Sequence, residues 1–130
     1  MEQGKTRGWS GVLAGLLVLL LAGCSGGRHS VTLPAQEEEV EVTARNFSFT
    51  PDEIRAKAGT TLTLQVKSAS ATEHNITVKN PAGKTLISQD VPVHETVTVV
   101  VPLEEPGEYP FYCDQTMHGT LGMKGRLVAE

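Results

Sequence analysis

The residues best suited to chemistry lie near the C-terminus, where Cys113, His118 and Met123 follow one another at equal spacing. A thiolate, an imidazole and a thioether form a set of soft and borderline ligands, which favours copper over magnesium, calcium or manganese, because those three metals prefer oxygen. Zinc is a competitor, although structural zinc sites take four Cys and His ligands and methionine is a poor choice for them. The spacing therefore predicts a soft-metal site on one loop.

A further imidazole would complete a site of two histidines and one cysteine with a weak axial methionine, which is the arrangement used for electron transfer by copper. His74 is the best supplier, since it opens a strand-like segment after a polar loop. His29 and His94 are interpreted as solvated residues. Met117 is interpreted as loop packing, and it is the alternative to Met123 as the axial ligand.

The N-terminus has the pattern of an export signal. Lys5 and Arg7 precede an apolar run over residues 11–23, which Cys24 follows. This run is well short of the roughly 20 residues that a membrane-spanning helix needs. Residues 21–24 resemble the bacterial lipobox, which implies cleavage before Cys24 and attachment of lipid to it. Because two acyl chains hold a protein stably, we predict a lipid anchor on the extracytoplasmic face of a bacterial membrane.

The predicted cleavage divides the chain into three parts: a signal peptide over residues 1–23, a lipidated cysteine with a flexible tether over residues 24–39, and one domain over residues 40–130. Cys113 is then the one thiol left in the domain, so no disulfide framework is possible. The chain has a formal charge of −4, and removal of the signal takes away two cations and one anion, which makes the charge −5. This charge disfavours nucleic acid as a partner.

The hydrophobic pattern of the domain is that of β-strands. Leu62, Leu64 and Val66 alternate with polar residues, and no segment of residues 40–130 shows a helical period. Turn signals rich in proline, glycine and asparagine recur at short intervals. The pattern predicts an all-β antiparallel sandwich or barrel of about eight strands.

With these candidate ligands and this strand pattern, the domain resembles the cupredoxins over essentially all of residues 40–130. The matching features are Phe47-Ser48-Phe49 before Pro51, Gly59 before an alternating strand, His74-Asn75, Gly107-Glu108-Tyr109, Phe111-Tyr112-Cys113, His118 and Gly122-Met123-Lys124-Gly125. The resemblance implies a Greek-key fold with one type 1 copper ion. The implied ligands are His74, Cys113, His118 and Met123.

The resemblance also implies roles for two residues of the site. Asn75 would tie the two ligand loops together near the cysteine sulfur. His118 would be the partly exposed ligand through which electrons pass. The chain departs from many relatives over residues 114–117, where they often place proline. Met117 stands where a binuclear copper site would have a second cysteine, which disfavours a binuclear site.

Two functions fit this site. The first is a one-electron carrier that serves redox partner proteins. The alternative is a copper-binding protein that delivers copper to other extracytoplasmic proteins. Enzymatic turnover is disfavoured, because the copper oxidases and nitrite reductases of the superfamily need additional clustered histidines and the chain has no His-x-His motif.

Overall fold

The computed structural model describes residues 28–115 and 120–130. Across these residues the chain forms ten strands and no helix, so no described segment could span a membrane as a helix. The strands are β1 (Ser30–Thr32), β2 (Glu39–Arg45), β3 (Ser48–Thr50), β4 (Glu53–Ala56), β5 (Thr60–Ser68), β6 (His74–Lys79), β7 (Thr85–Val91), β8 (Thr96–Leu103), β9 (Gly107–Tyr112) and β10 (Lys124–Ala129).

The strands form two sheets, and the all-β prediction is confirmed. The first sheet has the order β1-β4-β10-β9-β6-β7, and the second has the order β3-β2-β5-β8. The alternation predicted for β5 places Leu62, Leu64 and Val66 in the core, with their polar neighbours at or near the surface. From the first sheet, Ile76 and Phe111 complete the same core.

The turn signals divide the chain as the sequence predicted. Pro51 separates β3 from β4, His94 lies in the turn between β7 and β8, and Pro106 precedes β9. Tyr109 is almost fully buried in β9, and its hydroxyl donates a hydrogen bond of 2.9 Å to the carbonyl oxygen of Glu105. A buried tyrosine whose hydroxyl is hydrogen-bonded is a core residue of the sandwich.

The N-terminal segment differs from the predicted flexible tether. Ser30–Thr32 forms β1, which pairs in parallel with β4 in the register Ser30↔Glu53. The backbone oxygen of His29 accepts hydrogen bonds from the amides of Asp52 and Glu53, at 2.9 and 3.3 Å. Residues 29–33 of the predicted tether therefore lie against the domain, because an open edge of β4 offers them backbone partners. The side chain of His29 is exposed, as expected.

Candidate metal centre

Three of the predicted ligands lie buried at one end of the sandwich. His74 opens β6, Cys113 directly follows β9 and Met123 directly precedes β10. All three residues have 0% of their surface exposed. We call this end of the molecule the site end.

The base of the C-terminal loop is closed by the sheet. β9 and β10 are antiparallel, and their last pair is Tyr112↔Lys124. One residue further on, the amide of Cys113 donates a hydrogen bond of 3.1 Å to the carbonyl oxygen of Met123. The thiol and the thioether are therefore brought together by strand register.

β6 joins the histidine to this pair. The strand lies between β9 and β7, and it pairs with β9 through Thr77↔Tyr112 and Val78↔Phe111. The backbone amide of Asn75 donates a hydrogen bond of 3.4 Å to the sulfur of Cys113. This hydrogen bond holds the sulfur of Cys113 next to the start of β6.

The side chain of Asn75 is 4% exposed and is directed toward β7. It donates to Ser88 and Asp90 at 3.2 and 3.4 Å, and its oxygen accepts a hydrogen bond of 2.8 Å from the hydroxyl of Thr77. The same hydroxyl lies 3.4 Å from a carboxylate oxygen of Asp114, the residue after Cys113. The contact with the sulfur is thus made by the backbone of Asn75, while its side chain reaches the cysteine loop through Thr77.

Ser70 also contributes to the site, although the sequence pattern did not identify it. Its hydroxyl hydrogen bonds with Nε2 of His74. Engagement of Nε2 fixes the orientation of the ring, so the buried Nδ1 is the nitrogen that would bind a metal. Ser70 lies four residues before His74 in the polar loop, and the polarity of this loop is the one sequence feature that could have indicated its role.

Other predicted residues lie outside the described part of the chain. These are His118, Met117 and the lipidation candidate Cys24. Within residues 28–115 and 120–130, no group of three His, Cys, Asp or Glu side chains is placed to hold a metal. This finding does not contradict the predicted ligand set, because methionine is not among these residue types and His118 lies outside the described residues.

The described donors fit a copper ion. A buried imidazole, thiol and thioether offer nitrogen and soft sulfur but no oxygen, which suits copper better than zinc, calcium or magnesium. His94, by contrast, is exposed in the turn between β7 and β8, which agrees with its interpretation as a solvated residue.

A charged cluster borders the site end on the outer face of the first sheet. Glu53 is 7% exposed, and Arg126 donates to one of its oxygens at 2.7 and 3.0 Å while Arg55 donates to the other at 3.0 Å. The hydrogen bonds from Arg126 hold the pKa of Glu53 below its ordinary value, burial opposes them, and Arg55 lowers the pKa further. Beside this cluster, Arg28, Gly122 and Lys124 line a shallow cleft.

Two packed sheets with a buried histidine, cysteine and methionine at one end define a β-sandwich of the cupredoxin type. The family model of the Cupredoxin-like domain matches residues 13–129, and the chain belongs to this family. No curated protein matches the chain in sequence.

Solved structures share the fold. The dithionite-reduced auracyanin of the photosynthetic bacterium Roseiflexus castenholzii is 19% identical, with a TM-score of 0.64 over 72% of this chain and 98% of that one. Auracyanin A of Chloroflexus aurantiacus, described as a "blue" copper protein, is 25% identical, with a TM-score of 0.60 over 78% and 99%. Reduced rusticyanin is 17% identical, with a TM-score of 0.61 over 82% and 86%.

Proposed function

We propose that the protein is a one-electron carrier that holds a single copper ion with His74, Cys113, His118 and Met123. The observation that carries this proposal is the fully buried sulfur of Cys113, which receives an amide hydrogen bond from Asn75. Membership of the Cupredoxin-like family and the similarity to auracyanin A, a copper protein, support the choice of metal.

The bound copper would supply a one-electron couple, and the chain supplies a fixed geometry. Cys113 and Met123 are held at the ends of β9 and β10, and His74 at the start of β6, so their positions depend on the packing of the sheet. Packed cores do not deform continuously, so little rearrangement is expected when an electron arrives or leaves. The complete burial of His74, Cys113 and Met123 also keeps water away from the part of the site that these residues form.

The metal assignment is tested by adding Cu(II) to the purified protein and recording its visible spectrum. We expect an intense charge-transfer band that Cys113→Ala abolishes. His74→Asn should weaken copper binding, whereas the matched change His94→Asn should not, because His94 is exposed in a turn. Equal copper binding by the two histidine variants would contradict the assignment of His74.

Carrier and delivery functions differ in how the copper behaves once bound. Fast electron self-exchange with copper that is retained against chelators is expected of a carrier. Slow exchange with ready loss of copper to a chelator is expected of a delivery protein. The burial of three ligand candidates favours retention, and hence the carrier function.

We further propose that Cys24 carries lipid and holds the domain at the extracytoplasmic face of a membrane. The basic residues, the apolar run over residues 11–23 and the lipobox-like residues 21–24 support this location. The mature protein is expected to partition into detergent and to carry a lipid-modified N-terminal peptide by mass spectrometry. Cys24→Ala should abolish the modification, and a mature native protein that is freely soluble would refute the anchor.

A further inference from the structure

The docked strand β1 fixes where the chain enters the domain. Ser30 lies in register with Glu53 of β4, and Glu53 lies in register with Arg126 of β10. All three strands run in the same direction, and β10 begins directly after Met123. The chain therefore enters the sandwich at the site end.

The cleft beside the site supports the same placement. Arg28, two residues before β1, lines this cleft together with Gly122 and Lys124. Gly122 and Lys124 flank Met123 in sequence. Arg28 also lies 4.0 Å from the carboxylate of Glu53, with 69% of its side chain exposed. Arg28, the first described residue, therefore lies at the site end.

The distance between Arg28 and the proposed lipid is short. From Cys24 to Arg28 the chain advances four residues, which reach at most about 14 Å at roughly 3.6 Å per residue. A tether that was free as far as residue 39 would reach about 54 Å by the same measure. Docking of β1 therefore reduces the available length by about 40 Å.

This length restricts how the domain can face a bilayer. β5 has nine residues, and at about 3.3 Å per residue the sandwich is about 30 Å long. If the opposite end faced the membrane, the point where the chain enters the domain would lie about 30 Å from the bilayer surface. This distance exceeds the roughly 14 Å that the tether can span. A free tether of about 54 Å would permit either orientation.

We propose that the anchored protein presents its site end to the membrane, and that its electron-transfer partner is a redox protein embedded in that same membrane. This inference rests on the proposed lipid at Cys24. The exposed surface beside Met123 includes Leu121, which is 55% exposed, and Lys124. An apolar side chain beside a charged one suits a protein contact.

The orientation is measured by energy transfer from tryptophan to a dansyl headgroup label. Trp9 is the only tryptophan and lies in the predicted signal peptide, so a variant of the mature protein has a single introduced tryptophan. Leu121→Trp places the donor at the site end, and Ala82→Trp places it in the exposed β6–β7 turn at the opposite end. The full chain is expressed with its leader, and the mature protein is reconstituted without metal in labelled vesicles.

We expect strong transfer from position 121 and weak transfer from position 82. A flexible Gly-Ser insertion of about twelve residues between Gly27 and Arg28 should reduce this difference, because the longer tether could extend to about 58 Å, which exceeds the length of the domain. Equal transfer from the two positions at native tether length would overturn the orientation. Absence of the protein from floated vesicles would instead overturn the anchor, and the inference would fall with it.

The partner is tested by reduction of the copper-loaded protein with native membranes. The same insertion lengthens the tether about fourfold, so the effective concentration of the site at the membrane should fall about eightfold. We expect reduction by membranes to slow by a similar factor, while reduction by ascorbate in solution stays unchanged. Equal rates with membranes for both tether lengths would overturn the membrane partner, and loss of the visible band would report failure of the copper site itself.

Discussion

Gly125 provides a sharp test of the packing beneath the site. A methyl group built on Gly125 would lie 2.4 Å from Cζ of Phe111 and 2.5 Å from the backbone oxygen of Asp52. Ordinary contacts at such a position are 3.4–4 Å, so each neighbour would have to move by about 1 Å. We therefore predict that Gly125→Ala destabilises the domain.

Neither neighbour can move easily. Phe111 is fully buried and packs edge-on against Phe49, with ring centroids 5.3 Å apart and an interplanar angle of 74°. The oxygen of Asp52 accepts the hydrogen bond of 2.9 Å from the amide of Arg126. Overpacking of a core costs about 1–3 kcal/mol, and a weakened hydrogen bond about 0.5–1.5 kcal/mol. We expect the free energy of unfolding to fall by about 2–4 kcal/mol.

The measurement is urea unfolding of the metal-free protein, followed by circular dichroism. Where alanine fits without strain, replacement of glycine stabilises a protein by about 0.4–1 kcal/mol, so the sign of the change is itself decisive. Gly83→Ala is a control in open space, where only the left-handed backbone (φ 84°) opposes the methyl group. A Gly125→Ala protein as stable as the parent would refute the close approach of β10 to Phe111 and Asp52.

Three further outcomes are expected at and near the site. Ser70→Ala removes the hydrogen bond to Nε2 of His74, and copper affinity measured by chelator competition should fall about 10–100-fold. Met123→Leu should keep the visible band but raise the reduction potential measured by voltammetry, because loss of a weak donor destabilises Cu(II) more than Cu(I), whereas Met117→Leu should change the potential little. The lowered pKa of Glu53 means that its ion pairs stabilise the fold above its ordinary value of 4.5 and lose that effect as pH falls through the lower folded value. The difference in melting temperature between the parent and Glu53→Gln should therefore be largest near neutral pH and shrink toward pH 3.

The strands could be predicted because the alternation that indicates a strand lies within the residues of that strand. The alternation of Leu62, Leu64 and Val66 with polar residues fixes both the strand and its buried face, whatever its neighbours are. Tyr109 and Phe111 of β9 alternate with exposed residues in the same way. Sheet order and strand number depend on pairings between distant segments, which no local pattern specifies.

β1 shows this limit most clearly. Its three residues, Ser30–Thr32, have one apolar member and no alternation long enough to indicate a strand. The strand exists because the edge of β4, more than twenty residues later, offers unpaired backbone groups in parallel register. A polar composition correctly indicated an exposed segment, but it could not distinguish an exposed strand from a flexible tether.

Ser70 and Asn75 show a similar limit within the site. The sequence placed Asn75 near the sulfur of Cys113 by resemblance, and its amide lies there. The partners of its side chain are Ser88 and Asp90 on β7, and these became neighbours only through the antiparallel pairing of β6 with β7. Polar contacts of this kind depend on register, which the residues next to His74 do not encode.

The sequence relates Cys113 to Met123 more directly than it relates either of them to His74, for a structural reason. Cys113 and Met123 face each other across the base of one hairpin, closed by the hydrogen bond of 3.1 Å between their backbones. His118, the remaining predicted ligand of this loop, stands midway between them in sequence. Spacing within one hairpin carries geometric information because both ends are fixed by the sheet. His74 comes from a strand that precedes Cys113 by almost forty residues, so only the pairing of β6 with β9 brings it to the same end.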